Sequence, residues 1–238
     1  MSSTTGIVRF VSLYALLAIV STPAGAQTIR PVVSEYPLQA RGRVEVVNDS
    51  DRPLNVVIEP HGFSVSDSGE MQEQPFPAGV HLELSATSLR LPPRQSRFVF
   101  YEARTERGPA WFVLYANFTG FPRRDFSGLN VQLELPHIVY LLPKESWKRT
   151  DLHLSSVEVQ PDKGVVAFTI ENTGQSFGRV SSLQIDGGQR KMTVPGFALF
   201  PGRQRRIEAP WEGSERPASV AVKTKDFSFT EAVPPSAP

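Results

Sequence analysis

The side chains best suited to metal or proton chemistry are four histidines, His61, His81, His137 and His153, in a chain that has no cysteine. None of them lies at the close spacing that brings two ligands to one zinc ion, and no thiolate is available to complete such a site. Nucleophilic catalysis asks for a serine beside a histidine and an acid, but no Gly-x-Ser-x-Gly elbow occurs. Glu70 and Glu134 are carboxylates that a general acid–base pair would need, yet nothing in the sequence sets them side by side. A glycine-rich phosphate loop is also missing. The sequence therefore assigns no catalytic residue, no metal ligand and no cofactor. Three weaker clusters remain. Arg123 with Arg124, and Arg203 with Arg205 and Arg206, suit either an anion or a solvated surface. Trp111, Phe112, Tyr115 and Phe118 could line a sugar site, or fill a core. Triplets at Asn48 and Asn117 match the glycosylation pattern, the second on a strand that reads as buried.

With side-chain chemistry so thin, the backbone becomes the candidate reagent. From Leu129 to Leu135 apolar and polar residues alternate. A strand points successive side chains to opposite faces, so Leu129, Val131, Leu133 and Leu135 share one face, and Asn130, Gln132 and Glu134 share the other. Pro136 follows, and a proline within a sheet belongs on an edge or at a bulge. An edge strand with an aliphatic stripe is a template to which another chain can add. The same pattern also fits the last strand of a sandwich whose stripe fills its own core.

The elements that must hold this strand follow a leader. Arg9 is the only charge before Arg30, residues 10–20 are apolar, and residues 21–26 end in an Ala-x-Ala step. This is the layout of a secretory signal peptide, with cleavage expected after Ala26. The apolar run is shorter than the roughly 20 residues of a membrane span. The chain carries 25 Lys and Arg against 24 Asp and Glu, and loss of Arg9 with the leader balances them. A neutral chain offers no general field to nucleic acid or an anionic membrane. Residues 27–238 suffice for one large core or two of about 100 residues each. Without cysteine, each must stand on apolar packing.

The remainder reads as all-β. Prolines and glycines, 21 and 17 in the whole chain, punctuate short Val, Ile, Leu, Phe and Tyr runs, the rhythm of a sandwich or barrel. Residues 42–48 and 54–60 alternate on either side of a dense turn cluster and suggest an antiparallel hairpin. Residues 110–118 are the most apolar stretch after the leader and predict a central strand buried on both sides. About seven strands fall within residues 27–143, enough for one immunoglobulin-like sandwich. A similar rhythm runs from residue 144 to a tail at residues 233–238 that reads as disordered. Two echoes link the halves: strands running into turns at Asn48 and Asn172, and proline turns after Leu91 and Leu199.

This order of features resembles the periplasmic chaperones of pilus (fimbrial) assembly by the chaperone–usher route. The matching pieces are the leader, residues 42–48, residues 89–100, the apolar strand, the alternating strand ending at residues 140–143, and residues 171–174 and 200–202 of a second β-domain. The resemblance implies two immunoglobulin-like β-sandwich domains in tandem, set at an angle like a boomerang: residues 27–143, carrying a donor strand, and residues 144–238. It implies a non-enzymatic, soluble periplasmic protein with no cofactor. The partners would be pilin-like fibre subunits that lack their own last strand, and an outer-membrane usher. Counting back from Leu142 and Pro143 without gaps, Leu129, Val131, Leu133 and Leu135 fall on the donor positions. The family anchors the subunit's terminal carboxylate with an arginine and a lysine. Arg30 is near the arginine's place, and the lysine position falls on Ile138. A bulge at Pro136 would bring His137 there instead. The loop at residues 119–127 resembles that of the short-loop members. The main alternative is a secreted tandem-sandwich adhesion or carbohydrate-binding module whose aliphatic stripe is merely core.

Overall fold

The computed structural model describes residues 27–106, 108–120, 132–143, 145, 147–155, 157–212 and 216–233. The leader, Arg123, Arg124, Leu129, Val131 and residues 234–238 lie outside that set.

The first half contains β1 (Thr28–Arg30), β2 (Val33–Pro37), β3 (Gln39–Asn48), β4 (Leu54–Val65), β5 (Met71–Gln74), β6 (Val80–Leu84), β7 (Ser88–Leu91), β8 (Gln95–Thr105), β9 (Ala110–Thr119) and β10 (Leu133–Leu142). One sheet runs β1-β3-β8-β6; the other runs β2-β10-β9-β4-β5, with β7 also on β4. Alternation explains the layers. On β3 and β8, Ala40, Val44, Val46, Val99, Tyr101 and Ala103 point inward, where they meet Leu54, Val56, Ile58, Phe112, Leu114 and Phe118 of the facing sheet. The apolar run at residues 110–118 does become a central strand, β9, paired by β4 and β10.

The expected hairpin of residues 42–48 with 54–60 does not form. β3 pairs with β1 and β8, whereas β4 pairs with β5, β7 and β9 in the other sheet. The turn between them is an arch from one sheet to the other. Buried Asn48 holds it, donating from Nδ2 to the carbonyls of Arg52 (2.7 Å) and Leu91 (3.2 Å). Period-two alternation tells which face of a strand is apolar, not which sheet it joins.

The second half contains β11 (Leu152–Leu154), β12 (Glu158–Gln160), β13 (Val165–Asn172), β14 (Gly178–Asp186), β15 (Lys191–Leu199), β16 (Arg203–Pro210), β17 (Ser219–Thr224) and β18 (Ser228–Ala232). β13 pairs on one edge with β11 and β12 and on the other with β16; the facing sheet runs β15-β14-β17-β18. Trp147, Phe168, Ile170, Leu183, Ile185 and Trp211 are buried between them. The asparagine echo proves physical. Asn172 Nδ2 donates to Ser176 (2.8 Å) and Leu199 (3.2 Å), and its Oδ1 accepts from the Gly174 N–H (3.0 Å). Asn48 Oδ1 likewise accepts from the Ser50 N–H (3.0 Å). In both halves one asparagine closes the same kind of turn onto a leucine carbonyl. The fold is thus all-β, two immunoglobulin-like sandwiches in tandem.

An aromatic cluster joins the halves. Phe63, Val113, Tyr115, Tyr140, Phe177 and Phe200 are buried together, with Trp111–Phe200 and Tyr140–Phe177 centroids both 4.6 Å apart. Two polar clasps flank it: Glu35 with Arg179 (2.8 Å) and the Asp67 carboxylate with Gln204 (2.6 Å).

Candidate functional site

The site to build is β10, because the alternating stretch of the sequence ends in it. β9 pairs with it without interruption from Leu133 opposite Phe118 to Leu141 opposite Ala110. Pro136 sits opposite Tyr115 and His137 opposite Leu114, so the register does not shift there. The bulge that would have moved His137 to the anchor position is absent. Pro136 is accommodated because β10 has a free side. β2 covers that side only from Ile138 to Leu142, running parallel to it. Before Ile138 no strand among the described residues pairs with the outer edge of β10.

Side chains on β10 divide by parity. Val139 and Leu141 are fully buried in the core of the first sandwich, and His137 joins them on that face. Leu133 and Leu135 continue the stripe but are only half-buried, packed against the fringe of the same core. The opposite face carries exposed Gln132 and Glu134, then Ile138, Tyr140 and Leu142, which lean on the aromatic cluster between the halves. Of the four donor-strand candidates, Leu133 and Leu135 therefore border the open edge, while Leu129 and Val131 lie outside the described residues.

His137 is 0% exposed, with Nδ1 2.6 Å from the Pro31 carbonyl and Nε2 2.9 Å from the Tyr101 hydroxyl. The carbonyl can only accept, so Nδ1 carries the proton. Burial holds the imidazole below its usual range, although the bond to Pro31 opposes this, so the ring is neutral and Nε2 accepts from Tyr101 O–H. The Tyr101 oxygen then accepts from Tyr36 O–H at 3.0 Å. Burial likewise raises Tyr101 above the ordinary phenol range. Gly42 makes this line possible, since a Cβ there would stand 2.3 Å from Tyr36 Oη and 2.4 Å from Tyr101 Cζ. Both ring nitrogens of His137 are thus spent inside the fold, tying β10 to β8 and to the crossover between β1 and β2.

Arg30 points the other way. Ile29 is buried, so alternation turns Arg30 outward, where Nε meets Glu45 Oε2 at 2.7 Å. The hydrogen bond and charge of Glu45 raise the guanidinium, and those of Arg30 lower the carboxylate. The structure does not bring Arg30 and His137 to one anion site: one lies on an outer surface, the other in the core.

The remaining candidates are dispersed. His61 faces Glu73 (2.8 Å) and His81 faces Glu106 (3.8 Å). Among the described residues no group of three or more histidines and carboxylates is placed to share a metal. Arg206 pairs with Glu208 (2.9 Å), and Arg205 lies 5.7 Å from the Phe197 ring centre. Phe112 and Phe118 are fully buried, and Trp111 and Tyr115 belong to the aromatic cluster, so these four rings form no open sugar platform. Tyr36, Tyr101, Phe63, Phe177 and Phe200 carry structural roles that sequence reasoning missed. Only the pairing of an isolated inward tyrosine with a facing glycine, Tyr101 opposite Gly42, offered a signal.

No family model matches the sequence, and no curated protein does so. Solved structures do share its fold. The class 5 fimbriae chaperone CfaA superposes with a TM-score of 0.56 at 15% identity, covering 89% of this chain and all (100%) of that one. The CupB2 chaperone of Pseudomonas aeruginosa gives 0.51 at 15% identity, over 87% of this chain and 100% of that one. A chain from the complex of SafA pilin with the SafB chaperone of Salmonella enterica gives 0.53 at 14%, over 89% and 98%. The chain has the fold of fimbrial chaperones.

Proposed function

We propose that this chain is a periplasmic chaperone that caps subunits of pili or related surface fibres by lending them a strand. The observation that carries this reading is the outer edge of β10, which no strand among the described residues pairs before Ile138 and which half-buried Leu133 and Leu135 border. Strand addition takes affinity from main-chain hydrogen bonds and specificity from alternate side chains. Leu129, Val131, Leu133 and Leu135 are the side chains proposed to fill the subunit's groove. Its fold is shared with the chaperone in a pilin complex and with a member of a chaperone–tip adhesin complex, which supports pilin-like partners.

The rest of the proposal follows from that role. Residues 1–26 direct export, residues 27–143 hold the donor strand, and residues 144–238 form the second domain. No helix among the described residues is long and apolar enough to cross a membrane. The activity is stoichiometric rather than catalytic, and the capped subunit passes to an outer-membrane usher. Arg30 is the anchor candidate with an accessible charge, and it must exchange Glu45 for the subunit carboxylate. His137 serves by holding the crossover in place.

The test is co-purification of a fibre subunit that lacks its own last strand. The wild type is expected to retain it, and Val131→Asp with Leu133→Asp is expected to lose it while keeping a native unfolding transition. A folded double variant that retains the subunit in equal amount contradicts the proposal.

A further inference from the structure

The open edge of β10 is not uniform. Along a strand the N–H and C=O of one residue point to the same side, and the next residue's point to the other. Ile138 N–H donates to the Val32 carbonyl at 2.8 Å, on the β2 side. By parity Glu134 and Pro136 also address that side, while Leu133, Leu135 and His137 address β9. The outer edge thus offers Glu134 as donor and acceptor. Pro136 offers only a carbonyl, since proline has no N–H. The next position, Ile138, is already taken.

A second obstacle stands at the same level. The crossover at residues 31–33 leaves β1 and enters β2 just where the open edge ends. Val32 and Val33 are among the most exposed large apolar side chains, at 52% and 40%. The crossover cannot easily withdraw, because the Pro31 carbonyl is held by buried His137 at 2.6 Å.

We propose that Pro136 and the crossover at residues 31–33 form a stop that ends an added strand at Glu134 and so sets its register. This rests on the strand-addition reading above. The occupant is an extended segment of a fibre subunit, whose last full main-chain rung is on Glu134 and whose end meets the apolar surface of Val32 and Val33. The consequence is specific. A slip by one residue turns every side chain of the added strand to the wrong face. A slip by two keeps the faces, but in one direction it drives the strand past a missing donor and into the crossover. The stop therefore forbids the slip that side-chain alternation alone would permit.

The probe is a synthetic alternating Val–Thr peptide of about eight residues, carrying a nitroxide at one end or the other, added to the full chain and followed by NMR. Without peptide, the Glu134 amide is expected to exchange quickly and the Ile138 amide slowly. With peptide, Glu134 gains protection, and broadening from the nitroxide nearest the stop is strongest at residues 31–33 and declines along β2 toward Pro37. Pro136→Ala restores one donor at an extended edge position that alanine tolerates, and is expected to tighten the peptide roughly two- to tenfold. A slow Glu134 amide in the free chain overturns the proposal. So does a Pro136→Ala chain that binds no tighter, or broadening whose maximum falls on Tyr36 and Pro37 rather than on residues 31–33. A peptide that protects Glu134 yet ignores Pro136→Ala refutes the stop alone, whereas one that leaves Glu134 unprotected refutes strand addition as well.

Discussion

Residues 133–137 and 138–142 belong to one strand and share one neighbour, β9, yet they live in different surroundings. The later half is paired on both edges, and its inward Val139 and Leu141 are fully buried. The earlier half is paired, among the described residues, on one edge, and its inward Leu133 and Leu135 are half-buried. Side-chain pattern changes between them, from apolar–polar alternation to the unbroken apolar run of residues 138–142, but it does not say which stretch has an open edge. The difference comes from β2, which arrives only at Ile138. A strand's availability is set by where its neighbour stops, and here that point is fastened by His137.

This contrast can be broken by truncating each half. Leu141→Ala is predicted to destabilise the chain by about 2–5 kcal/mol, the usual range for a buried leucine, whereas Leu135→Ala costs under about 2 kcal/mol because part of its surface is already wet. Urea unfolding measures both, and equal losses would remove the distinction. At the junction, His137→Ala leaves the Pro31 carbonyl without its donor and Tyr101 O–H without its acceptor. At about 1–3 kcal/mol for the buried carbonyl left unpaired and about 1 kcal/mol for the hydroxyl, which can still turn to Tyr36, the expected loss is roughly 2–4 kcal/mol. Faster amide exchange at Ile138 should accompany it. A stable variant with unchanged exchange would show that the crossover holds itself.

The two turn asparagines sharpen the contrast from the other side, since they occupy matched positions away from the open edge. Asn48→Ala and Asn172→Ala are predicted to cost similar amounts, about 1–3 kcal/mol each, in the unfolding of their own halves. A twofold or greater disparity would show that the echo is only one of sequence.

The smallest effect concerns pH. The folded state holds His137 below its ordinary value of 6.5. The unfolded chain therefore binds the proton first, and stability contributed by the neutral ring is complete above that value. It is lost as pH falls below it, until the folded ring also protonates, by at most about 1.4 kcal/mol per pH unit. Unfolding at stepped pH should show this slope in the wild type and not in His137→Gln. The same slope in both would assign it to other groups.

Much of this molecule is legible in its sequence, and the rest is hidden for identifiable reasons. β9 is announced by its unbroken apolar run, and β10 by alternation up to Leu135 followed by the apolar run of residues 138–142. The turns at Asn48 and Asn172 can be matched because each follows a strand directly. The arch between β3 and β4 cannot be foreseen, because either sheet would accept both apolar faces. The partners of His137 are equally hidden: Tyr101 lies 36 positions away, and its own partner Tyr36 lies 65 positions from it. Spacing along the chain carries no trace of such contacts. Arg30 and His137 are near the expected anchor in sequence, but alternation and burial send them to opposite sides of a sheet.

The most direct test of the account is amide exchange of the chain alone and in a one-to-one complex with a fibre subunit lacking its last strand. New protection is predicted to concentrate on the outer edge of β10 before Ile138, with the Glu134 amide among the most strongly slowed. A complex that slows amides elsewhere and leaves Glu134 exchanging freely would contradict it.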